Sequence, residues 1–435
     1  MTKFTEEELK TMSIHSLRVV FRMNFGGAPK TMRKGEIIQK ILDVQSGGEV
    51  PTRSTKGRKP LESHFVKKNG VELNLKDWTE CVFEEDGGEK LEVRGYLELH
   101  VDGYGYLRNT NYGFESSKIF VAHTLIKRYS LKQGDMIDGN CEEVNETDMK
   151  ILRSISFVNG KDPSTSTAIE DFDTFTARYP KERITLAKEN QSGVEKVIDL
   201  FCPIGKGQRC LILDNGTNQK TSLVKKIAQS ISENQGADLT VFLAGASPED
   251  ITDLKEGVSS EVVGTIFCDG VESVIRTFTL VVERAKREVE RGKNKILIID
   301  SLSSIITTFE EFKNSTSEYV MPQNLENGIS YVKKILGQAG NFGEKGSLTV
   351  IATMTKDESE ENYKRLKEIA SCEISLTKRN GKRGVFIDVE KSWTKKDELL
   401  LSSSEIEFVD SVREGLANGE ISVQTVYEKI DEFKG

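Results

Sequence analysis

The stretch from Arg209 to Ile231 constrains the fold most. Arg209–Leu213 (RCLIL) is a short apolar run that reads as a buried strand. Asp214–Gln219 (DNGTNQ) is a loop of turn residues, and Lys220-Thr221-Ser222 opens a helical run to about Ile231. Strand, loop, Lys-Thr and helix in that order is the layout of a nucleotide site. Loop N–H groups and the helix N-terminus receive phosphate oxygens, the Lys reaches the terminal phosphates, and the Thr hydroxyl holds Mg²⁺. One position departs from the pattern. Gly ordinarily stands directly before the Lys, because the backbone there approaches the phosphates closely and can need φ > 0. This chain has Gln219. The sequence therefore predicts a nucleotide site that keeps its frame and has lost part of its phosphate cradle.

The surroundings fit that frame. Apolar runs at 209–213, 239–244, 296–299, 347–353, 372–376 and 385–389 alternate with charged amphipathic stretches such as 272–291. That alternation predicts an α/β domain over 183–404, a parallel sheet with helices on both faces. The run Ile296–Ile299 ends in Asp300-Ser301. A strand-end Asp is a weak signal alone. Paired with Lys220-Thr221 it suits the acidic position that helps place Mg²⁺. Lys220, Thr221 and Ser222 are thus the phosphate-binding candidates, and Thr221 and Asp300 the candidate Mg²⁺ ligands. Residues 405–435 read as helical and acidic, with a packing or docking role.

Residues 91–160 change period. LEVRGYLELHVDGYGYLRN alternates apolar and polar residues, with turns at Asp102-Gly103 and Gly134-Asp135, and Phe120-Val121 adds another strand. Several short strands with hairpin signals predict a small β-barrel of the OB or cold-shock kind. Tyr104 and Tyr106 fall on one strand face, with a glycine beside each that leaves the rings accessible. Such a pair is a stacking platform for single-stranded bases, with Arg108 as phosphate or cation–π partner. The alternative is two tyrosines in the barrel core.

The remaining segments organise the chain. Residues 1–47 read as a small helical module: Thr5 can cap a first helix with Leu9, Met12, Leu17, Val20 and Phe21 on its apolar face, and a second spans about Arg33–Asp43. Its basic turn (Lys30, Arg33, Lys34) suits either a plain folded cap or a nucleic-acid contact. Residues 48–90 form a linker and insertion, the part from 48 to 60 rich in Pro, Gly, Ser, Thr and basic residues. Residues 161–182 connect barrel and α/β domain.

A chain of 435 residues has room for two or three domains. Its net charge of −8 excludes a uniformly basic nucleic-acid coat but not a local basic patch. No apolar run approaches the ~20 residues that cross a bilayer, and the acidic N-terminus is no secretory signal, so a cytoplasmic protein without membrane contact is expected. The six cysteines form no C-x-x-C pair and no metal-ligand spacing with His, which predicts reduced, buried thiols.

A resemblance now becomes specific. Val197–Arg209 (VIDLFCPIGKGQR), Ser247–Asp253 (SPEDITD), Gly346–Thr353 (GSLTVIAT) and Lys396–Leu400 (KDELL) resemble the ATPase domain of the bacterial transcription termination factor Rho family. DGYGYLR resembles that family's primary RNA-binding site, and the helical front module its N-terminal subdomain. The resemblance covers nearly the whole chain in order. It implies a multidomain protein: a helical N-terminal module, an OB/cold-shock-like barrel, and a RecA-like P-loop ATPase-type domain. It places Tyr104, Tyr106, Arg108 and Phe120 at the RNA site, and Lys220, Thr221 and Asp300 at the nucleotide site. Phe386 matches an aromatic packed on adenine, and Arg383 a basic residue near the subunit boundary.

The departures from the family are selective. Where the family has Asp-Glu-Arg, whose Glu activates the attacking water, this chain has Gly245-Ala246-Ser247. The arginine-finger position reads Lys395, which keeps charge but loses the fork that grips a phosphate. The channel loop with a Gly-Gly element reads Met321-Pro322-Gln323-Asn324, and the second, Lys-Gly-Thr-Gly, reads Lys367-Glu368-Ile369-Ala370, keeping only Lys367 as an RNA contact. Asp214, Glu249 and Asp250 are the acids that could take over water activation. The resemblance thus implies a single-stranded RNA-binding factor in transcription termination or its regulation, with ATP and Mg²⁺ as cofactors and hydrolysis weak or lost. It would form a hexamer or another homo-oligomer, or co-assemble with an active Rho, with RNA polymerase as a further partner. A divergent active motor and a ring or filament scaffold are the alternatives.

Overall fold

A computed structural model describes residues 34–45, 65–68, 71–74, 91–110, 112, 119–143, 150–163, 169–188, 193–235, 238–314, 327–356, 360–378 and 384–433. The chain divides into two units, 1–64 and 65–435. In the first, helix α1 (Lys34–Gln45) buries Ile37, Ile38 and Ile41, spaced for one face of a helix. It matches the second expected front helix. The first front helix and the basic linker lie outside the described residues.

The second unit begins with a hairpin, β1 (Phe65–Lys68) and β2 (Val71–Asn74). The barrel follows: β3 (Leu91–Leu99), β4 (Gly105–Arg108), β5 (Ile119–Val121), a short helix α2 (His123–Arg128), β6 (Met136–Glu143) and β7 (Lys150–Val158). The strands close in the order β3-β4-β5-β7-β6. Leu97, Leu107, Ile119, Val121, Ile137, Cys141 and Leu152 fill the interior. They are the inward half of the period-2 alternation that marks these strands in the sequence.

The α/β domain runs α3 (Val194–Phe201), β8 (Arg209–Asp214), α4 (Lys220–Gln235), β9 (Asp238–Ala246), α5 (Pro248–Gly257), β10 (Glu261–Ile266), α6 (Val271–Val289) and β11 (Asn294–Asp300). It continues through α7 (Leu302–Asn314), α8 (Gly328–Gly337), β12 (Gly340–Asn341), β13 (Ser347–Thr355), α9 (Glu360–Lys367) and β14 (Cys372–Thr377). It closes with β15 (Phe386–Ile387), β16 (Trp393–Thr394), α10 (Ser403–Ala417) and α11 (Val423–Glu432). The sheet order is β10-β9-β11-β13-β8-β14-β15, with β12 on β13 and β16 on β14. The strands from β10 to β14 in that order are parallel. Along β11, Leu297 and Ile299 pack with α6, α7 and α8, while Ile296 and Ile298 pack on the opposite face, where α4 and α3 lie. Val409, Val412, Val426 and Ile430 of α10 and α11 join that second core, so the C-terminal helices pack against the domain.

The structure adds β10, which the sequence reading did not anticipate, and lengthens α4 to Gln235. No described helix is long and apolar enough to cross a membrane. Four of the five cysteines with described surroundings are buried and all five are free; Cys268 is exposed, against expectation, because it sits in the turn after the edge strand β10.

Candidate nucleotide and RNA sites

The ends of the parallel strands bring the phosphate-loop residues together. Thr221 Oγ1, at the start of α4, donates to Asp300 Oδ2 at 2.7 Å, and Lys220 Nζ lies 3.9 Å from Asp300 Oδ1. Thr353, at the end of β13, donates to Asp300 Oδ1 at 2.5 Å. Sequence reading missed Thr353; its signal is a hydroxyl near the end of the strand beside the one that carries Asp300. A hydroxyl and a carboxylate oxygen side by side, with a Lys ammonium near, are hard oxygen donors of the kind Mg²⁺ takes. The loop before them serves itself. Asp214 is buried, and its Oδ1 accepts both the Thr217 N–H and the Thr217 hydroxyl, each at 2.7 Å. Gln219 N–H donates to Thr217 Oγ1 at 3.2 Å. Two backbone donors of the kind that would face a phosphate are thus directed to the chain's own side chains. Asn218 takes φ +58°, the left-handed region that favours glycine. Ser222 is exposed on the first turn of α4.

The other candidates are dispersed. Ala246 ends β9. Glu249 and Asp250 are exposed in the first turn of α5. Lys395 sets its ammonium 5.9 Å from the ring centroid of Tyr179, which is half exposed. Phe386 meets Tyr427 of α11 edge-on, ring centroids 5.9 Å apart. Lys367 is tied down: its Nζ donates to Tyr363 Oη at 3.0 Å and lies 3.2 Å from Glu373 Oε2, a buried carboxylate on β14. Arg383 and the channel segment 321–324 lie outside the described residues.

On the barrel the aromatics form one cluster. Tyr104 and Tyr106 meet edge-on at 5.6 Å, and Phe120 lies 5.4 Å and 6.1 Å from them. None of the three belongs to the barrel's interior, so they sit on its outer face. Their accessibility corrects the sequence expectation. Tyr104 is 3% exposed and Phe120 0%, because His100 stacks on Tyr104 at 4.4 Å, almost parallel, and the rings cover one another. The flanking glycines do not clear space for bases. A Cβ on Gly105 would lie 2.8 Å from both Glu98 O and Leu97 Cδ1, and one on Gly103 (φ +89°) 2.6 Å from His123 Nδ1. They let the hairpin close. Burial, foremost, pushes the Tyr104 and Tyr106 hydroxyls above the usual phenol range. Tyr106 stays half-buried, and its ring is the accessible one of the three.

Arg108 differs most from the phosphate or cation–π partner expected of it. It is 7% exposed and donates through Nε to Glu98 Oε2. Glu98 also receives Arg276 from α6: Nε to Oε1 at 2.6 Å and Nη2 to Oε2 at 2.8 Å. Burial alone would raise the Glu98 carboxyl, but the two guanidinium groups hold it below the usual carboxylate range.

Comparison with known proteins agrees with both halves. The RNA-binding domain of the Rho termination factor matches residues 93–164, and the nucleotide-binding domain of the ATP synthase alpha/beta family matches residues 194–394. Barrel, sheet and matches together define a protein that joins a Rho-type RNA-binding domain to an ATP synthase alpha/beta-type nucleotide-binding domain. Transcription termination factor Rho of Bacillus subtilis is 30% identical over 361 residues, covering 79% of this chain and 83% of the relative. That of Aquifex aeolicus is 33% identical over 423 residues, covering 91% and 97%. The chain belongs to the transcription termination factor Rho family.

Proposed function

We propose that this protein binds single-stranded RNA on the outer face of its barrel and acts in transcription termination or its regulation, with ATP hydrolysis weak or lost. Tyr106 is the stacking ring, backed by Tyr104 and Phe120, with Arg108 holding the strand behind it. The observation that carries the catalytic half is the Asp214–Thr217 contact, 2.7 Å from carboxylate to N–H. It places a carboxylate among the donors that a nucleotide's phosphates need. Asp214 is buried and engaged there, which removes it as a substitute water activator, and Ala246 cannot accept a proton. Mg²⁺–ATP, when bound, would supply the phosphoryl group and the charge neutralisation for its transfer. Thr221 and Asp300 would hold the metal, and Lys220 would face the terminal phosphates. In this reading the protein acts stoichiometrically, as a homo-oligomer or alongside an active Rho, with RNA polymerase near the RNA it holds.

The test is phosphate release from ATP by the purified protein, with and without a cytosine-rich RNA, and a gel shift in parallel. RNA bound without turnover is expected. RNA-stimulated turnover would overturn the catalytic half and favour the second reading, a divergent working motor. That reading has one observation on its side: Lys220, Thr221 and Asp300 remain assembled.

A further inference from the structure

The RNA face of the barrel is not held by the barrel alone. Side chains alternate along β3: Leu97 enters the barrel core, while Tyr96 and Glu98 point outward. Those two outward residues both reach the α/β domain. Tyr96 Oη donates to Glu261 of β10 at 3.4 Å and its ring lies under the Arg284 guanidinium at 5.2 Å. Glu98 is gripped by Arg276, whose Nη1 is in turn held by Glu272 at 2.8 Å. Across the strand pair, Glu98 stands opposite Tyr106 and Tyr96 opposite Arg108. The residues that dock the barrel are therefore the cross-strand partners of Tyr106, the candidate stacking ring, and of Arg108, which holds its strand.

Glu98 is the centre of this arrangement. Its carboxylate is 3% exposed and accepts from two arginines, one from its own hairpin and one from α6. A buried carboxylate held in a guanidinium fork is fixed in direction as well as position. Without Arg276 it would keep a single ion-pair partner, Arg108, and β4 would lose its outer anchor. Arg276 itself is mostly covered, its side chain 18% exposed.

We infer that Arg276 is a positioning residue for RNA binding: through Glu98 and Arg108 it fixes the strand that carries Tyr106, so the nucleotide-binding domain completes the RNA site. This rests on the reading that the barrel's outer face binds RNA. In the full-length chain, Arg276→Gln is expected to weaken binding of a cytosine-rich RNA oligomer about tenfold at an unchanged salt slope. Arg276→Lys, which keeps the charge but not the fork, recovers only part. Glu272→Gln, at a half-buried partner, gives a smaller loss in the same direction and serves if Arg276→Gln does not fold. Unchanged affinity in a folded variant would overturn the inference. So would a loss with the salt slope shallower by about 0.7, the mark of one direct phosphate contact removed. Hydrogen exchange at the β4 amides needs no RNA. It should speed up in Arg276→Gln while the β6–β7 amides keep their rates, and equal β4 rates would overturn the inference. If the unmutated protein binds no RNA while β4 exchange responds, it is the functional reading that fails and not the anchoring.

Discussion

Thr221 and Asp300 are joined by a 2.7 Å hydrogen bond, hydroxyl to carboxylate, across 79 positions of sequence. The bond ties the start of α4 to the end of β11, and Thr353 takes the other oxygen of the same carboxylate. Asp300→Ala leaves two hydroxyls without their acceptor and Lys220 without its counter-charge. It should lower stability by about 1–3 kcal/mol, read as a lower urea midpoint. Asp300→Asn keeps an acceptor and costs less. It removes the charge a metal requires, so Mg²⁺-dependent binding of a non-hydrolysable ATP analogue, where the unmutated protein shows it, should fall.

If hydrolysis is weak or lost as proposed, and the cause lies where the sequence departs from its family, restoring the family's residues should restore turnover. A general acid–base group contributes about 10²–10⁴-fold and an arginine finger about 10³–10⁵-fold, and both act in one transition state. Ala246→Glu or Lys395→Arg alone should therefore do little. The double variant, with Gln219→Gly added to open the loop, should show RNA-stimulated phosphate release above background. A triple variant that stays at background would place the block elsewhere in the loop, Asp214 first.

Much of this was legible in the sequence, and the rest was hidden for physical reasons. Lys220, Thr221 and Asp300 announce themselves because a strand, a loop and a helix start are local patterns. The β10 strand did not. EVVGTI lies at the sheet edge with only Val263 and Thr265 buried, so it lacks the continuous apolar run of a central parallel strand. The glycines beside Tyr104 and Tyr106 were legible as residues but not as causes: they serve close packing against β3 and His123, and the rings bury one another. The Glu98–Arg276 contact spans 178 positions and depends on how the barrel docks on α6, which no periodicity encodes.

On the barrel, burial separates the roles of the three aromatics. Tyr106→Ala should cost RNA affinity about 1–3 kcal/mol, the worth of one stacked base, with little change in melting temperature. Phe120→Ala removes the fully buried ring that packs on both tyrosines and should lower both affinity and melting temperature. Equal RNA affinity for Tyr106→Ala and the unmutated protein, measured by fluorescence anisotropy, would move the binding face away from this cluster.

Gly134 tests the docking itself. It sits in the turn before β6 at φ +83°, and a Cβ there would lie 2.6 Å from Arg284 N and 2.7 Å from the Glu283 carbonyl carbon. Both obstacles are helix backbone, which cannot give way. Gly134→Ala should pry the turn from α6. It should expose the connector to limited proteolysis and leave the barrel's interior intact. A variant as resistant as the unmutated protein would mean that the turn has room to shift.

The pH dependence of stability has one clear contributor in Asp199, on α3. Its carboxylate is buried and accepts the N–H groups of Leu186, at 3.0 Å, and Ala187, at 2.8 Å. Burial pushes its pKa up to about 6, against the pull of those two N–H groups and of Arg183. A folded-state value above the unfolded one means that the folded protein holds the proton more tightly. The stabilisation is therefore fully present below about pH 4 and is lost as pH rises through 6. Between about pH 4 and pH 8 this shift removes on the order of 3 kcal/mol of folding stability. Asp199→Asn keeps an acceptor and never ionises. Its melting temperature should sit near that of the unmutated protein at pH 4.5 and above it at pH 8. A gap of the same size at both pH values would mean that Asp199 stays charged throughout, held by its two N–H donors and Arg183.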